Sequence, residues 1–202
     1  MGKLEQVLRD GHFALTAETS PPDAASAQAV VERVECLRGL ADAVNVTDGA
    51  SARVHMAALA AAAVMASEGI EPVLQMTTRD RNRLALQGDV VGAAALGIRN
   101  VLCLTGDKMA AGDQPAAAEV FEIDSGELMR QIRDMRDLGQ FPTGRAIDPA
   151  PQLFLGAAEM PAEPGEHWPA ARLQAKIDNG TQFFQTQYCF EVDKVRRYCR
   201  AL

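Results

Sequence analysis

Acidic and amide side chains lie at the ends of several short apolar stretches, where they could move protons or bind a ligand. Glu18 lies at the end of FALTAET, Gln75 lies in PVLQMT, and Asp107 follows VLCLTG. A carboxylic acid can exchange a proton, and an amide or carboxylate can hydrogen-bond a ligand. The apolar stretches have the length of strands, and parallel α/β proteins bind ligands at the carboxyl ends of their strands. We therefore expect these side chains to share one edge of a parallel sheet.

The elements that must position these side chains are clearest between residues 71 and 107. Residues 72–77 and 101–104 are apolar runs of strand length. Between them, apolar residues recur at helical spacing until Gly97, namely Leu84, Ala85, Val90, Val91, Ala94 and Leu96. Two fully apolar strands joined by a helix predict parallel pairing through a right-handed crossover.

The same alternation extends along the chain. Further strands are predicted at residues 13–19, 41–46, 153–158 and 182–188. Helices are predicted between them, with Leu40 in the helix that follows the first strand and the last two helices at residues 168–177 and 191–202. Strand starts recur about every 28 to 30 residues, with one longer interval, which is the repeat of a βαβ architecture. The pattern predicts a TIM (β/α)8 barrel with six strand–helix units visible.

The chain length limits this architecture. A closed barrel takes eight strands and about 250 residues, whereas the sequence has 202. We expect one barrel domain over residues 1–202 that is truncated at its C-terminus. The competing architecture is an open doubly wound sheet, but neither GxGxxG nor GxxxxGKS/T follows a predicted strand.

Composition excludes several classes of protein. The net charge of −7 and pI near 5.0 argue against nucleic acid or an anionic membrane as the main partner. The first ten residues lack the apolar centre of a secretion signal. The four cysteines form no CxxC pair, and the three histidines are far apart, so we expect reduced thiols and no metal site. These features favour a cytoplasmic protein.

The segment of residues 108–123 is the longest irregular stretch and is rich in Ala, Gly and Pro. A long loop in a compact domain is more often functional than not. Asp124 and Glu127 follow it with the spacing of a capping box, which predicts the start of a helix.

Six motifs follow one another along the chain: AETSPP at residues 17–22, VNVTDGAS at 44–51, the run from QMTTRDRNR to LCLTGD at 75–107, GDQP in the long loop, LGAAEMP at 155–161 and KIDNGTQFFQTQYCF at 176–190. Taken together and in this order, they resemble the flavin-dependent methylenetetrahydrofolate reductase family. The resemblance spans essentially the whole chain. It implies a TIM barrel that passes hydride from NADH or NADPH through a flavin to methylenetetrahydrofolate, yielding methyltetrahydrofolate.

The resemblance also implies catalytic and substrate-binding residues. Glu18 matches the family glutamate that protonates the leaving nitrogen when the folate ring opens, a role that a partly desolvated site would favour. Asp107 matches the aspartate beside flavin and pterin, Gln187 matches the folate-binding glutamine, and Tyr188 could stack on an aromatic ligand. Without the resemblance, these residues read as a solvated glutamate, a Gly-Asp turn and core side chains.

Flavin contacts are implied at several further positions. They are Thr47, Gln75, Thr105, Gly106, Asp107, Ala157, Ala158 and Lys176, the last for the phosphate. This sequence departs from some members at Gln75 (histidine), Thr105 (arginine), Glu159 (tyrosine) and Ala175 (arginine). With fewer cations for a diphosphate, FAD is expected first and FMN remains open.

Two matters stay open at the level of sequence. A homo-oligomer is compatible with the sequence, which does not set the oligomeric state. The alternative to a reductase is a non-catalytic or regulatory barrel homologue that binds flavin or folate weakly. A flavin-free TIM-barrel lyase or transferase has no metal cluster or Schiff-base lysine at a strand end in its favour.

Overall fold

The computed structural model describes residues 1–161 and 170–201. Six parallel strands form one sheet in the order of the chain. The strands are β1 (Thr16–Thr19), β2 (Ala43–Val46), β3 (Pro72–Thr77), β4 (Asn100–Leu104), β5 (Phe154–Glu159) and β6 (Phe183–Thr186). The helices are α1 (Lys3–Arg9), α2 (Ala27–Val34), α3 (Ala58–Ser67), α4 (Arg83–Ala95), α5 (Ser125–Leu138), α6 (Ala170–Asp178) and α7 (Val192–Ala201). The strict alternation of strand and helix explains the parallel pairing.

The sheet curls into a half-barrel. β1 and β6 are the two edge strands of the sheet, yet Glu18 of β1 and Gln185 of β6 line the same cavity. The six strands with alternating helices therefore have the architecture of part of a TIM barrel, the fold class that the sequence predicts.

The strands separate two apolar cores because successive side chains face opposite sides of the sheet. The larger core lies between the sheet and the helices, and fully buried Met65, Leu86 and Leu155 belong to it. The smaller core fills the concave side near the amino ends of the strands, where the rings of Phe154 and Phe183 stack with centroids 4.9 Å apart. Polar side chains at the opposite end of the concave side are therefore free to form a site.

The N-terminal helix closes the amino end of the concave side. Leu4 of α1 is buried in the smaller core. The Glu71 carboxylate accepts hydrogen bonds from the backbone N–H of Leu4 at 2.9 Å and from Asn100 Nδ2 at 2.9 Å. These bonds tie α1 to the ends of β3 and β4.

The predicted elements are present, with corrections at their ends. β1 begins at Thr16 instead of residue 13, because Phe13 is 92% exposed and lies outside the ladder. Gln187 and Tyr188 follow β6 instead of ending it. α2 ends at Val34, so Leu40, which is exposed, is not helical.

Other boundaries agree closely. β3 covers the predicted residues, and Asp124 accepts a hydrogen bond from the backbone N–H of Glu127 at 2.8 Å, which confirms the predicted helix start. Glu127 does not complete the capping box, since its carboxylate binds Arg130 and Gln131. The predicted starts of α6 at residues 168 and 169 and the predicted end of α7 at residue 202 lie outside the described residues.

Candidate functional site

A cleft of about 680 Å³ opens at the carboxyl ends of the strands. Every strand contributes to its wall, either directly or through the segment that follows it. Nine of the predicted site residues line it: Glu18, Thr47, Gln75, Thr105, Gly106, Asp107, Ala158, Gln187 and Tyr188. The volume lies within the range of pockets that hold cofactors and small ligands, roughly 300–1,000 Å³.

Two predicted flavin contacts do not line the cleft. Ala157 is 1% exposed and belongs to the core between the sheet and the helices. Because Ala157 and Ala158 are consecutive in β5, their side chains face opposite sides of the sheet. Lys176 also lies outside the cleft wall, and its ammonium group donates to the backbone oxygen of Ala158 at 2.6 Å and to Glu159 at 2.7 Å.

Glu159 holds two cations at the end of β5. Its side chain is 1% exposed and pairs with Lys176 and with Arg172, both on α6. Two cations and one carboxylate leave a net charge of +1. Lys176 therefore meets a ligand phosphate only while paired with a carboxylate, which weakens the phosphate contact expected for it.

Glu18 faces the cleft and is bound by an amide. Glu18 is exposed, and Gln75 Nε2 donates a hydrogen bond to Glu18 Oε2 at 3.0 Å. Gln75 itself is 7% exposed, so its amide is held in a fixed place. The protein alone does not provide the partly desolvated environment that was expected for Glu18; a bound ligand that covers the cleft would be needed to exclude water from it.

Gly106 brings the backbone before Asp107 close to the end of β3. Its φ is +95°, and a Cβ at this position would lie 3.1 Å from Thr77 Cβ and 3.3 Å from Arg79 Cβ. The left-handed conformation therefore favours glycine, and a Cβ would in addition need Thr77 or Arg79 to shift slightly. The resulting approach places Asp107, which is exposed, on the cleft wall.

Gln187 and Tyr188 enter the cleft from the segment after β6. The backbone N–H of Gln187 donates to the backbone oxygen of Glu159 at 2.9 Å, which fixes the segment against the end of β5. The side chain of Gln187 is exposed, and Tyr188 is 79% exposed. An amide and an aromatic ring with these positions can hydrogen-bond and stack on a flat heterocycle.

Asn45, Asp48 and Arg79 are polar cleft residues that were not among the predicted site residues, although Asp48 and Arg79 stand in the polar runs at the ends of predicted strands. Asp48 Oδ2 accepts from the backbone N–H of Thr77 at 2.8 Å and from its hydroxyl at 3.0 Å, and it pairs with Arg81. The signals available in the sequence were the TDG turn after β2 and the TRDR run after β3.

Arg79 is the one cation on the cleft wall within the described residues. It is 3% exposed and donates through Nε and Nη2 to Asp80, both at 2.7 Å. Hydrogen bonding to Asp80 raises the pKa of the Arg79 guanidinium. Its charge is thus largely committed to Asp80, and the carboxylates of Glu18, Asp48 and Asp107 make the cleft acidic.

The long segment 108–123 does not contribute to the cleft wall. A backbone hydrogen bond holds the segment beside the cleft, since the N–H of Val120 donates to the backbone oxygen of Arg79 at 2.8 Å. The Lys108 ammonium lies over the Phe121 ring, 4.6 Å from its centroid. The functional role expected for this loop stays a prediction.

Membrane and metal features complete the description. Within residues 1–161 and 170–201, no helix has both the length and the hydropathy to cross a bilayer. The same residues bring no three His, Cys, Asp or Glu side chains together in a metal-binding arrangement.

The fold and cleft define a (β/α) half-barrel with an open cleft at the carboxyl ends of its strands. A family model described as methylenetetrahydrofolate reductase matches residues 3–202. The chain therefore belongs to the methylenetetrahydrofolate reductase family. A search of the curated proteins finds no match.

A solved structure shares the fold. It is an uncharacterized protein from Clostridium thermocellum described as binding two copies of 5-methyl-5,6,7,8-tetrahydrofolic acid. The two chains are 12% identical and superpose with a TM-score of 0.58. The match covers 98% of the present chain and 63% of the other, so the present chain spans less than two thirds of the length of its structural neighbour.

Proposed function

We propose that the protein is a flavin-dependent oxidoreductase that reduces methylenetetrahydrofolate to methyltetrahydrofolate with hydride from NADH or NADPH. One observation carries the proposal: Glu18, Asp107 and Gln187, which follow or end three different strands, share one cleft. Membership of the family and the folate ligand of the neighbour support it.

The cleft residues fit the ring system of a flavin. Leu102, Leu104 and Ala158 provide apolar surface, and Gly106 lets the backbone approach a flat ring. Thr47, Gln75, Thr105 and Asp107 provide polar groups at the rim. When bound there, the flavin would accept hydride from the nicotinamide and donate it to the folate.

The residues offer fewer groups to a flavin phosphate than to the flavin ring. Lys176 and the backbone around Ala157 and Ala158 lie at the end of β5, where a phosphate would meet Lys176 already paired with Glu159. FAD is our first choice of cofactor, and FMN, with a single phosphate, fits the same residues. The test of this choice is a direct comparison of the two affinities.

Glu18 would deliver the proton that opens the folate ring. A general acid must lie within hydrogen-bond reach of the atom it protonates, and Glu18 projects from the end of β1 into the open cleft. Asp107 and Gln187 would hydrogen-bond the pterin edge and fix the orientation of the methylene carbon. Tyr188 would cover the ring by stacking.

Flavin binding is the first test. The purified protein should be yellow, or become so with FAD or FMN, because the cleft accepts the isoalloxazine. A colourless protein that gains no bound flavin from either cofactor would contradict the reductase.

A non-catalytic homologue that binds flavin or folate weakly is the second candidate. The pairing of both Lys176 and Arg172 with Glu159, together with the acidic cleft, favours weak binding of a phosphate. Binding of flavin without any oxidation of NADH or NADPH would support this candidate over the reductase.

The remaining expectations belong to the same proposal. Residues 1–202 would form one domain, with a cytoplasmic location in keeping with the four free thiols of Cys36, Cys103, Cys189 and Cys199. A homo-oligomer remains compatible with the proposal and is testable by light scattering.

A further inference from the structure

Two amide side chains from neighbouring strands flank Glu18. In the parallel ladder Glu18 of β1 lies opposite Asn45 of β2. Gln75 of β3 reaches the same carboxylate and donates to Glu18 Oε2 at 3.0 Å. Asn45 is 2% exposed and Gln75 is 7% exposed, so both amides are built into the wall.

Asn45 carries a buried oxygen without a partner. Its Nδ2 donates to the backbone oxygen of Ala17 at 3.2 Å, and its Oδ1 has no hydrogen bond to any residue that the structure describes. The orientation of the Asn45 amide is fixed, because exchanging its nitrogen and oxygen would place Oδ1 against the backbone oxygen of Ala17, and both are acceptors. An unpaired buried acceptor is unfavourable, so Oδ1 needs a donor.

One of the two side chains beside Asn45 in the ladder can supply that donor. On the concave side, its ladder partners are Glu18 of β1 and Val73 of β3. The valine side chain has no hydrogen-bond donor. A carboxylate has none either, but a protonated carboxyl has one O–H.

We propose that Asn45 and Gln75 are positioning residues that serve Glu18 in its two protonation states. The Gln75 N–H binds the carboxylate form, and Asn45 Oδ1 accepts from the carboxylic acid form. A general acid passes through both forms, so the pair holds the side chain before and after it gives up its proton. The inference rests on the proposed role of Glu18 as proton donor.

Other titratable and charged groups line the same cleft as Glu18. They are Asp48 after β2, Arg79 after β3 and Asp107 after β4, with the hydroxyl of Tyr188 after β6. Substituting Asn45 or Gln75 leaves all four in place. A change in the titration of Glu18 in these variants therefore reports on the lost amide.

The experiment is a ¹³C NMR titration of the Glu18 carboxyl in the ligand-free protein, with the signal assigned by its loss in Glu18→Gln. Gln75→Ala removes the donor to the carboxylate and should move the titration midpoint up by roughly half to one pH unit. Asn45→Ala removes the acceptor for the acid and should move the midpoint down by a similar amount, about half to one unit.

Matched controls separate these effects from general damage. Gln185→Ala removes another amide of the cleft that has no hydrogen bond to Glu18 among the described residues. Asn100→Ala removes the other buried asparagine oxygen without a partner, at the amino end of the sheet. Both controls should leave the Glu18 midpoint unchanged.

Opposite shifts in the two variants support the proposal. Shifts in the same direction, or midpoints that match the wild type and the controls, overturn it. The titration needs neither flavin nor folate. Opposite shifts in a protein that reduces no folate would support the amide roles and contradict the reductase, whereas a reductase with unmoved midpoints would contradict the amide roles alone.

Discussion

The environment of Glu18 is set by neighbouring residues that lie far from it in the sequence. Its position at the end of a strand is visible in the sequence, but its hydrogen bond to Gln75 passes across the intervening strand and depends on the length of the glutamine side chain. No sequence pattern records such a contact. The same is true of Asn45, whose unpaired oxygen is evident only when the surrounding donors are known.

Glu18→Gln should separate the two halves of the proposed reaction. Reduction of bound flavin by NADH or NADPH should keep its rate, because no proton from Glu18 is needed there. Folate reduction should fall by about 10²–10⁴-fold, the usual contribution of a general acid. Stopped-flow absorbance measures both halves, and an equal loss in both would refute the assigned role.

Gln187→Ala should weaken folate binding and leave flavin content nearly unchanged. The side chain is exposed on the cleft wall while its backbone is fixed to Glu159. Loss of one or two ligand hydrogen bonds should raise the folate Kd about tenfold. Gln174→Ala, on the exposed side of α6 beside Asp178, is the matched control and should have no effect. Loss of flavin in Gln187→Ala would show that the assignment is wrong.

At the scale of elements, sequence periodicity places the strands but not the contacts between them. The run of β3 is recognised to the residue, because the strand is buried on both faces and only Gln75 interrupts its apolar residues before Thr77. The face that each residue occupies is harder to predict: the motif LGAA gives no sign that Ala157 faces the helices and Ala158 the cleft. The pairing of Lys176 with Glu159 likewise depends on how α6 packs on β5.

The Asp48 carboxylate, which follows β2, connects the ends of β2 and β3. Its substitution tests how much this connection stabilises the fold. It accepts two hydrogen bonds from Thr77 and pairs with Arg81, and its side chain is 13% exposed. Asp48→Ala should lower the free energy of unfolding by about 2 kcal/mol. Urea denaturation without ligand measures this loss.

A surface aspartate provides the comparison. Asp193→Ala removes a carboxylate whose pair with Arg196 is exposed at both ends, and it should change stability by less than about 0.5 kcal/mol. A loss in Asp48→Ala no larger than this would show that Asp48 does not join the strand ends.

At the scale of the whole molecule, low pH should lower the free energy of unfolding by protonating three carboxylates that bind distant backbone groups. Asp42, Glu119 and Glu122 each accept a hydrogen bond from a distant backbone N–H, of Leu15, Met109 and Arg83 respectively. Those backbone bonds are the main reason that the pKa of each carboxyl is lowered, from 3.8 for Asp42 and from 4.5 for the two glutamates.

The sign of the pH effect follows from these lowered values. Because the folded pKa lies below the unfolded one, the stabilisation is complete above about pH 4.5 and is lost as pH falls through the folded values. The urea midpoint should fall between pH 4.5 and 3 and should fall less in Asp42→Asn. A midpoint that is level or rises over this range would contradict the prediction.

We propose that one cleft brings a proton donor, a folate-binding amide and a flavin together. The most direct measurement loads the protein with FAD or FMN, reduces the bound flavin anaerobically, and adds methylenetetrahydrofolate in a stopped-flow spectrometer. The absorbance of oxidised flavin should return, and methyltetrahydrofolate should form in equal amount. Bound flavin that stays reduced in the presence of saturating methylenetetrahydrofolate would contradict it.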